Sequence, residues 1–330
     1  MVTIAVGGMA GRWYNDNKRS NFTEKYILFV RPETTVTEVL DSLESGAGVI
    51  RPRSLRRCFE QENVIENIKP GRYVIEPSFT SIYVSRMLVK GWQTPGNLTL
   101  SGTIRTKGRL AQKIAAQMMV DSASVAQALD SAEFLASYGF TPENVFAMIL
   151  PDTYQMYWNT TPDQLFQRML REYNTFWNDS RKQKADSLGL TPIEVAIVAS
   201  IVEGESHNKK EMPLIASLYL NRIHKGMLLQ ACPTVKYAVG DFKLKRILNR
   251  HLAIDSPYNT YKYPGLPPGP IRCPAPTTID MVLNAPKTDY LFMCASPELN
   301  NTHIFSSTFG KHAAAAVQYR HTMDTMKINR

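Results

Sequence analysis

Two glutamates separated by one residue, Glu203 and Glu205, are the groups in this chain best suited to proton-transfer chemistry. They follow an almost wholly apolar run, Val195 to Val202, and a helix that is apolar on every side belongs in a core. A carboxyl at the end of such a helix loses part of its hydration, which disfavours the charged form and raises its pKa. That is the condition of a general acid at neutral pH. Residues two apart on a helix project about 200° from each other, so the pair is poorly placed to act on one substrate as acid and nucleophile. Glu205 shares its face with Val198, Ile201 and Val202, and Glu203 shares its face with Ala199 and Ser200. Periodicity does not choose between them. A plainer reading stays open, in which both merely close the helix, hydrated or paired with Lys209, Lys210 or Arg222.

Several elements must hold these groups. Thr191-Pro192-Ile193-Glu194 is a helix start, with a capping threonine, a proline in the first turn and a glutamate able to reach back. Downstream, residues 232–272 are rich in Pro, Gly, Tyr and Asn and have little helical period, and so long a loop in a compact domain is usually functional. Gln230, Asn259 and Tyr261 supply neutral hydrogen-bonding groups, while Tyr258, Tyr261 and Tyr263 supply apolar faces. A neutral glycan requires both. The aromatic stretch around Tyr154, from Pro151 to Trp158, suits stacking on sugar faces and equally suits ordinary packing.

The remaining pattern is α+β. Strands are expected at 26–30 and 72–75, with helices at 35–43 and 53–62 between them and another at 81–90. A turn at 93–96 marks a domain boundary. Further on come a strand at 97–103, an amphipathic helix at 107–120, a helical stretch at 122–138 and one long helix at 161–187. A short helix at 277–283, strands at 290–294 and 303–306 and a closing helix at 308–327 complete the chain. Residues 12–25 read as a polar connector.

At 330 residues, 44% hydrophobic, the chain is long enough for about two domains. No segment approaches the roughly 20 apolar residues of a membrane span, and Val2–Ala10 is short and glycine-rich. A net charge of +9 suits an anionic neighbourhood such as wall polymer, a phospholipid surface or nucleic acid. The basic clusters (Arg51, Arg53, Arg56, Arg57; Lys243, Lys245, Arg246, Arg250) accompany no nucleic-acid module, so a solvated basic face is expected and a nucleic-acid partner is not. The four cysteines lack metal spacing, and no metal or other cofactor is expected.

The segment Ala199-Ser200-Ile201-Val202-Glu203-Gly204-Glu205, then Leu220-Asn221-Arg222, then Gly226-Met227-Leu228-Leu229-Gln230 with Pro233-Thr234, resembles the catalytic core of the YceG-like (MltG) family of endolytic murein transglycosylases. Leu150-Pro151-Asp152-Thr153-Tyr154, Ser256–Tyr261, Gly265–Ile271 and Lys287–Leu291 match in the same order, so the resemblance spans roughly residues 150–320. His303-Ile304-Phe305 fits a family strand in which Thr302 replaces a glycine, and Ser101-Gly102 lacks the acidic residue usual before that glycine. The resemblance implies a connector at 1–25 with a truncated or missing membrane anchor, a LysM-like β-α-α-β domain at 26–92, and at 97–330 a larger mixed catalytic domain built around the buried helix. It also implies a bacterial envelope enzyme, anchored once in the inner membrane with its catalytic domain outside the cytoplasm, acting on glycan strands beside cell-wall synthases.

The implied chemistry is cleavage of the MurNAc–GlcNAc bond to 1,6-anhydro ends by one glutamate, acid and then base. Glu205-Ser206 resembles the catalytic Glu-Ser pair of lysozyme-like transglycosylases, which favours Glu205 as the acid with Glu203 orienting substrate or buttressing the site. Gln230, Thr234, Asn259, Tyr261, Arg222, Tyr154 and His303 are the expected substrate contacts. Cys232 stands where the family usually has an acid; four free, mostly buried thiols are the plainer reading of the cysteines, and a disulfide from Cys232 to Cys273 is the alternative. The competing functions are a muramidase that uses water and a silent glycan-binding scaffold.

Overall fold

The computed structural model describes residues 2–244, 247–300 and 302–325, with side chains described from residue 8 onward. Lys245 and Arg246 of the second basic cluster, and the last two residues of the expected closing helix, lie outside the described residues. The chain is α+β: many helices and three separate two-stranded antiparallel sheets among the described residues. It divides into two compact units, one of residues 1–99, 113–122 and 153–161, the other of residues 100–112, 123–152 and 162–330.

In chain order the first elements are α1 (Val2–Asn17), β1 (Tyr26–Val30), α2 (Val36–Gly46), α3 (Pro52–Gln61), α4 (Val64–Asn67), β2 (Gly71–Ile75), α5 (Ser81–Lys90) and β3 (Gly96–Thr99). In the first unit β1 and β2 pair antiparallel with Leu28 opposite Tyr73, and both of these side chains are buried in a core shared with Val39, Leu43, Leu55 and Leu88. A capping box fixes the start of α2, Thr35 and Glu38 each accepting a backbone N–H from the other. The polar connector expected at 12–25 is partly helix: α1 runs through Asn17, and buried Asp16 takes a hydrogen bond from Arg57 Nη2 at 2.7 Å and another from Ser54 on α3. The partners come from 38 and 41 residues away, which no local pattern could reveal.

Next come α6 (Lys107–Ala115), α7 (Ser122–Asp130), α8 (Ala132–Ala136) and β4 (Thr153–Met156), the last pairing with β3 in the first unit. The second unit continues with α9 (Pro162–Phe176), α10 (Asp179–Ser187), α11 (Pro192–Glu205), α12 (Met212–His224), α13 (Cys232–Val239), α14 (Asn249–Leu252), α15 (Pro276–Leu283), β5 (Phe292–Ala295), β6 (His303–Ser306) and α16 (Phe309–Thr325). The single helix expected at 161–187 is two: Asn178 caps a fresh start, accepting the Arg181 N–H at 3.0 Å, beside the buried Trp177.

The core of this unit is α11. Every residue from Val195 to Val202 is buried, and α12, α13 and α15 pack around it. Its start is the capping box read from sequence, with Thr191 N–H on Glu194 Oε2 at 2.7 Å and Glu194 N–H on Thr191 Oγ1 at 3.2 Å. Ser200, buried in the middle of the helix, accepts the Ile271 N–H at 3.0 Å and so ties the proline-rich segment to α11. No single helix among the described residues is long and apolar enough to cross a membrane.

Candidate active site

The last turn of α11 sends its two glutamates to different surroundings. Gly204 between them lies against α13, where a Cβ would stand 2.5 Å from the Pro233 side chain. Only a residue without a side chain lets the two helices meet there. Glu205 then faces one cavity and Glu203 another.

The Glu205 cavity has a volume of about 230 Å³, and Tyr219, Arg222, Gln230, Cys232, Tyr261 and His303 are among its lining residues. Among those described, Glu205 is its sole carboxyl. Tyr219, 2% exposed and on the inward face of α12, donates its hydroxyl to Glu205 Oε1 at 2.7 Å. Burial pushes the Glu205 pKa up, against smaller downward pulls from that hydrogen bond and from the His303 and Lys236 side chains. Burial and the adjoining carboxyl in turn push the Tyr219 phenol well above its usual range, so it stays a donor. The Tyr219 hydrogen bond engages Oε1 and leaves Oε2 as the oxygen that would carry the proton of the neutral carboxyl.

His303 enters from β6. Glu211, buried at the head of α12, takes the His303 backbone N–H at 2.6 Å and stands 3.2 Å from its Nδ1. These two contacts with Glu211 hold the His303 ring in place at the cavity wall. Arg222, 6% exposed, is a clamp: Nε donates to the Leu291 carbonyl at 2.6 Å and Nη1 to those of Leu228 and Leu229 at 2.9 and 3.0 Å. The same Nη1 lies 3.3 Å from Gln230 Oε1 and so presents that side chain. Gln230 is exposed and sits at φ 52°, a left-handed backbone that a non-glycine residue adopts at a cost of about 1–3 kcal/mol. Tyr261 completes this wall, its hydroxyl 3.3 Å from Cys232 Sγ.

Three expected substrate contacts lie elsewhere. Asn259 is fully buried and holds its own loop, donating to the Leu252 and Ile254 carbonyls and accepting the Tyr261 N–H. Thr234, also fully buried, donates to the Ala231 carbonyl and meets Thr260 Oγ1 at 2.9 Å. Both shape the cavity wall from behind. Tyr154 is buried in the first unit, on β4 opposite Leu98. The Cys232–Cys273 disulfide is not formed: both thiols are free, Cys232 lining the Glu205 cavity and Cys273 the one beside Glu203.

Glu203 is committed to structure. Its Oε1 accepts the Ala275 N–H at 2.7 Å at the head of α15, and its Oε2 stands 3.9 Å from Arg272 Nη1. Sequence reasoning passed over Tyr219, Glu211 and Arg272. A tyrosine within an apolar helix reads as core, but Tyr219 lies one turn before Arg222 and therefore on its face, a usable signal. Glu211 resembles an ordinary helix-start acid ahead of Pro213. No group of three or more His, Cys, Asp or Glu among the described residues is placed to hold a metal ion.

A family model described as the YceG-like family matches residues 28–318. An endolytic murein transglycosylase of Bacillus subtilis is 35% identical over 161 residues, covering 49% of this chain and 44% of that protein. One from Streptococcus pneumoniae R6 is 26% identical over 306 residues, covering 83% of this chain and 55% of its own length. The chain thus spans about half the length of the curated relatives it matches. The crystal structure of a YceG-like protein from Listeria monocytogenes superposes with a TM-score of 0.57 at 26% identity, over 88% of this chain and 98% of that one.

Proposed function

The chain belongs to the YceG-like family, and on that premise we propose that it is an endolytic lytic transglycosylase cleaving the MurNAc–GlcNAc β-1,4 bond inside peptidoglycan strands. The observation that carries this reading is a single part-buried carboxyl, Glu205, held by Tyr219 in a cavity that has no second acid among its described lining residues. Glycosidases that use water or a covalent intermediate need two carboxyl groups about 5–9.5 Å apart. One suffices when the substrate supplies its own nucleophile.

In the proposed cycle Glu205 Oε2–H protonates the glycosidic oxygen as the C1–O bond of MurNAc breaks. The carboxylate so formed takes the proton of the MurNAc C6 hydroxyl, whose oxygen closes onto C1 as the 1,6-anhydro ring. The raised pKa suits the first half and the Tyr219 hydroxyl, a donor to the ionised form, steadies the second. Gln230, Tyr261 and His303 are the substrate contacts in this reading, while Arg222 and Glu211 position them. Glu203 buttresses α15 and is not the acid.

The β1-α2-α3-α4-β2 order, a β-α-α-β pattern with one added helical turn, is what supports a LysM-like domain at 26–92, with the catalytic domain at 97–330. Action at the bacterial envelope on nascent strands, with an anchor in the inner membrane and synthases as neighbours, follows from the family premise and belongs to the same proposal. Incubation of the protein with uncrosslinked glycan strands, followed by mass spectrometry of the ends, tests it. Anhydro ends are expected; reducing ends would make the protein a muramidase, and uncut strands a scaffold.

A further inference from the structure

On the Glu203 flank of α11 lies a second cavity, of about 290 Å³, walled by Thr103, Pro151, Arg272 and Met281 and by the exposed His207 and Lys209 that follow α11. Arg272 is its most unusual group. The side chain is 5% exposed, yet its Nε has no hydrogen-bond partner. Glu203 is the one carboxylate within ion-pair distance of it among the described residues, and at 3.9 Å it is beyond hydrogen-bond reach. Glu203 is also already spent on the Ala275 N–H. Burial and the neighbouring Arg105 pull the Arg272 pKa down to about 10, the mark of a guanidinium short of negative charge.

A guanidinium carries five donors in a planar fork that matches a carboxylate, and burying it with so little compensation is costly. The cavity in front of it has a mixed lining, apolar at Pro151, Met212 and Met281, to which Lys209 adds a positive charge, and it has only the engaged Glu203 as an acid among its described lining residues. Its chemistry calls for a carboxylate.

We propose that this cavity binds a carboxylate of the peptide stem carried by the glycan that the enzyme cuts. The choice of the stem rests on the transglycosylase reading; the choice of a carboxylate rests on the cavity alone. Reach is compatible. The cavity meets α12 at Met212 and the Glu205 cavity meets it at Tyr219, two helical turns away, or about 10 Å. An extended stem of three to five residues spans about 10–17 Å.

The test is calorimetric titration of the full chain with a stem pentapeptide, with the same peptide amidated at its carboxylates, and with inorganic phosphate. Saturable binding of the free acid is expected, weakened about tenfold or more by amidation or by Arg272→Gln and about threefold by Lys209→Ala. Glu205→Gln should leave it unchanged. Equal binding of the amidated peptide, no saturable binding, or indifference to both substitutions would overturn the proposal. Phosphate competing as tightly as the peptide would overturn the assignment to the stem. If Arg272→Gln does not fold, Lys209→Ala, which lies at the surface, and the amidated peptide still decide. Because binding is read without cleavage, a protein that cuts glycan but ignores the stem loses only this site. One that binds the stem but does not cut loses only the transglycosylase reading.

Discussion

The two flanks of the last turn of α11 hold glutamates of the same chemistry in opposite employment. On one flank Glu205 has a neutral hydroxyl for a partner and open space in front of it. On the other Glu203 has a backbone N–H and a buried guanidinium. The first setting favours a carboxyl that holds its proton; the second ties the carboxyl into the fold. In the proposed reading, position on the helix, and not residue type, separates the acid from the buttress.

The largest effect expected from breaking this contrast is on turnover. Glu205→Gln should lower cleavage of glycan strands by about 10²–10⁴-fold, as loss of a general acid does, with an unchanged melting curve. Glu203→Gln should stay within about tenfold of wild-type turnover and lose about 1–2 kcal/mol of stability, because Arg272 is left without its counter-charge. Unfolding and end-group assays on the two variants check both halves.

Gly204→Ala probes the hinge between the flanks. The added methyl meets Pro233 at 2.5 Å, so about 1–3 kcal/mol of stability should go, and α13 should shift with Cys232 and the cavity wall. Denaturant unfolding measures the first and loss of kcat/KM the second.

Tyr219→Phe sharpens the contrast through pH. The hydroxyl lowers the Glu205 pKa by favouring the ionised form, so its removal should raise that pKa further. The alkaline limb of the rate profile, where the acid loses its proton, should move to higher pH, with kcat down about tenfold. Gln230→Gly has the smallest effect on stability: it relieves the left-handed backbone and should raise the melting point slightly. KM for glycan should rise as the side chain is lost, so stability and binding move in opposite directions.

Much of this site was legible in the sequence where a local pattern carried it. The apolar run 195–202 and the Thr191/Glu194 box placed α11, and helical spacing alone separated Glu203 from Glu205. Of the residues expected as substrate contacts, Gln230 and Tyr261 line the Glu205 cavity, but Asn259 and Thr234 in the same stretch turn inward, because composition does not say which side chain of a loop satisfies the backbone. Arg272 was passed over because a proline-rich segment has no period from which to read a face. The break at Trp177–Asn178 was hidden by an amphipathic pattern that continues across it.

Direct titration of Glu205 by carboxyl ¹³C NMR in the intact protein, with Glu205→Gln to assign the signal, reaches the central claim most closely. A pKa displaced upward from the ordinary carboxyl value of about 4.3, and higher still in Tyr219→Phe, is the expected result. A Glu205 that ionises at or below that ordinary value, unmoved by the loss of Tyr219, would contradict the account.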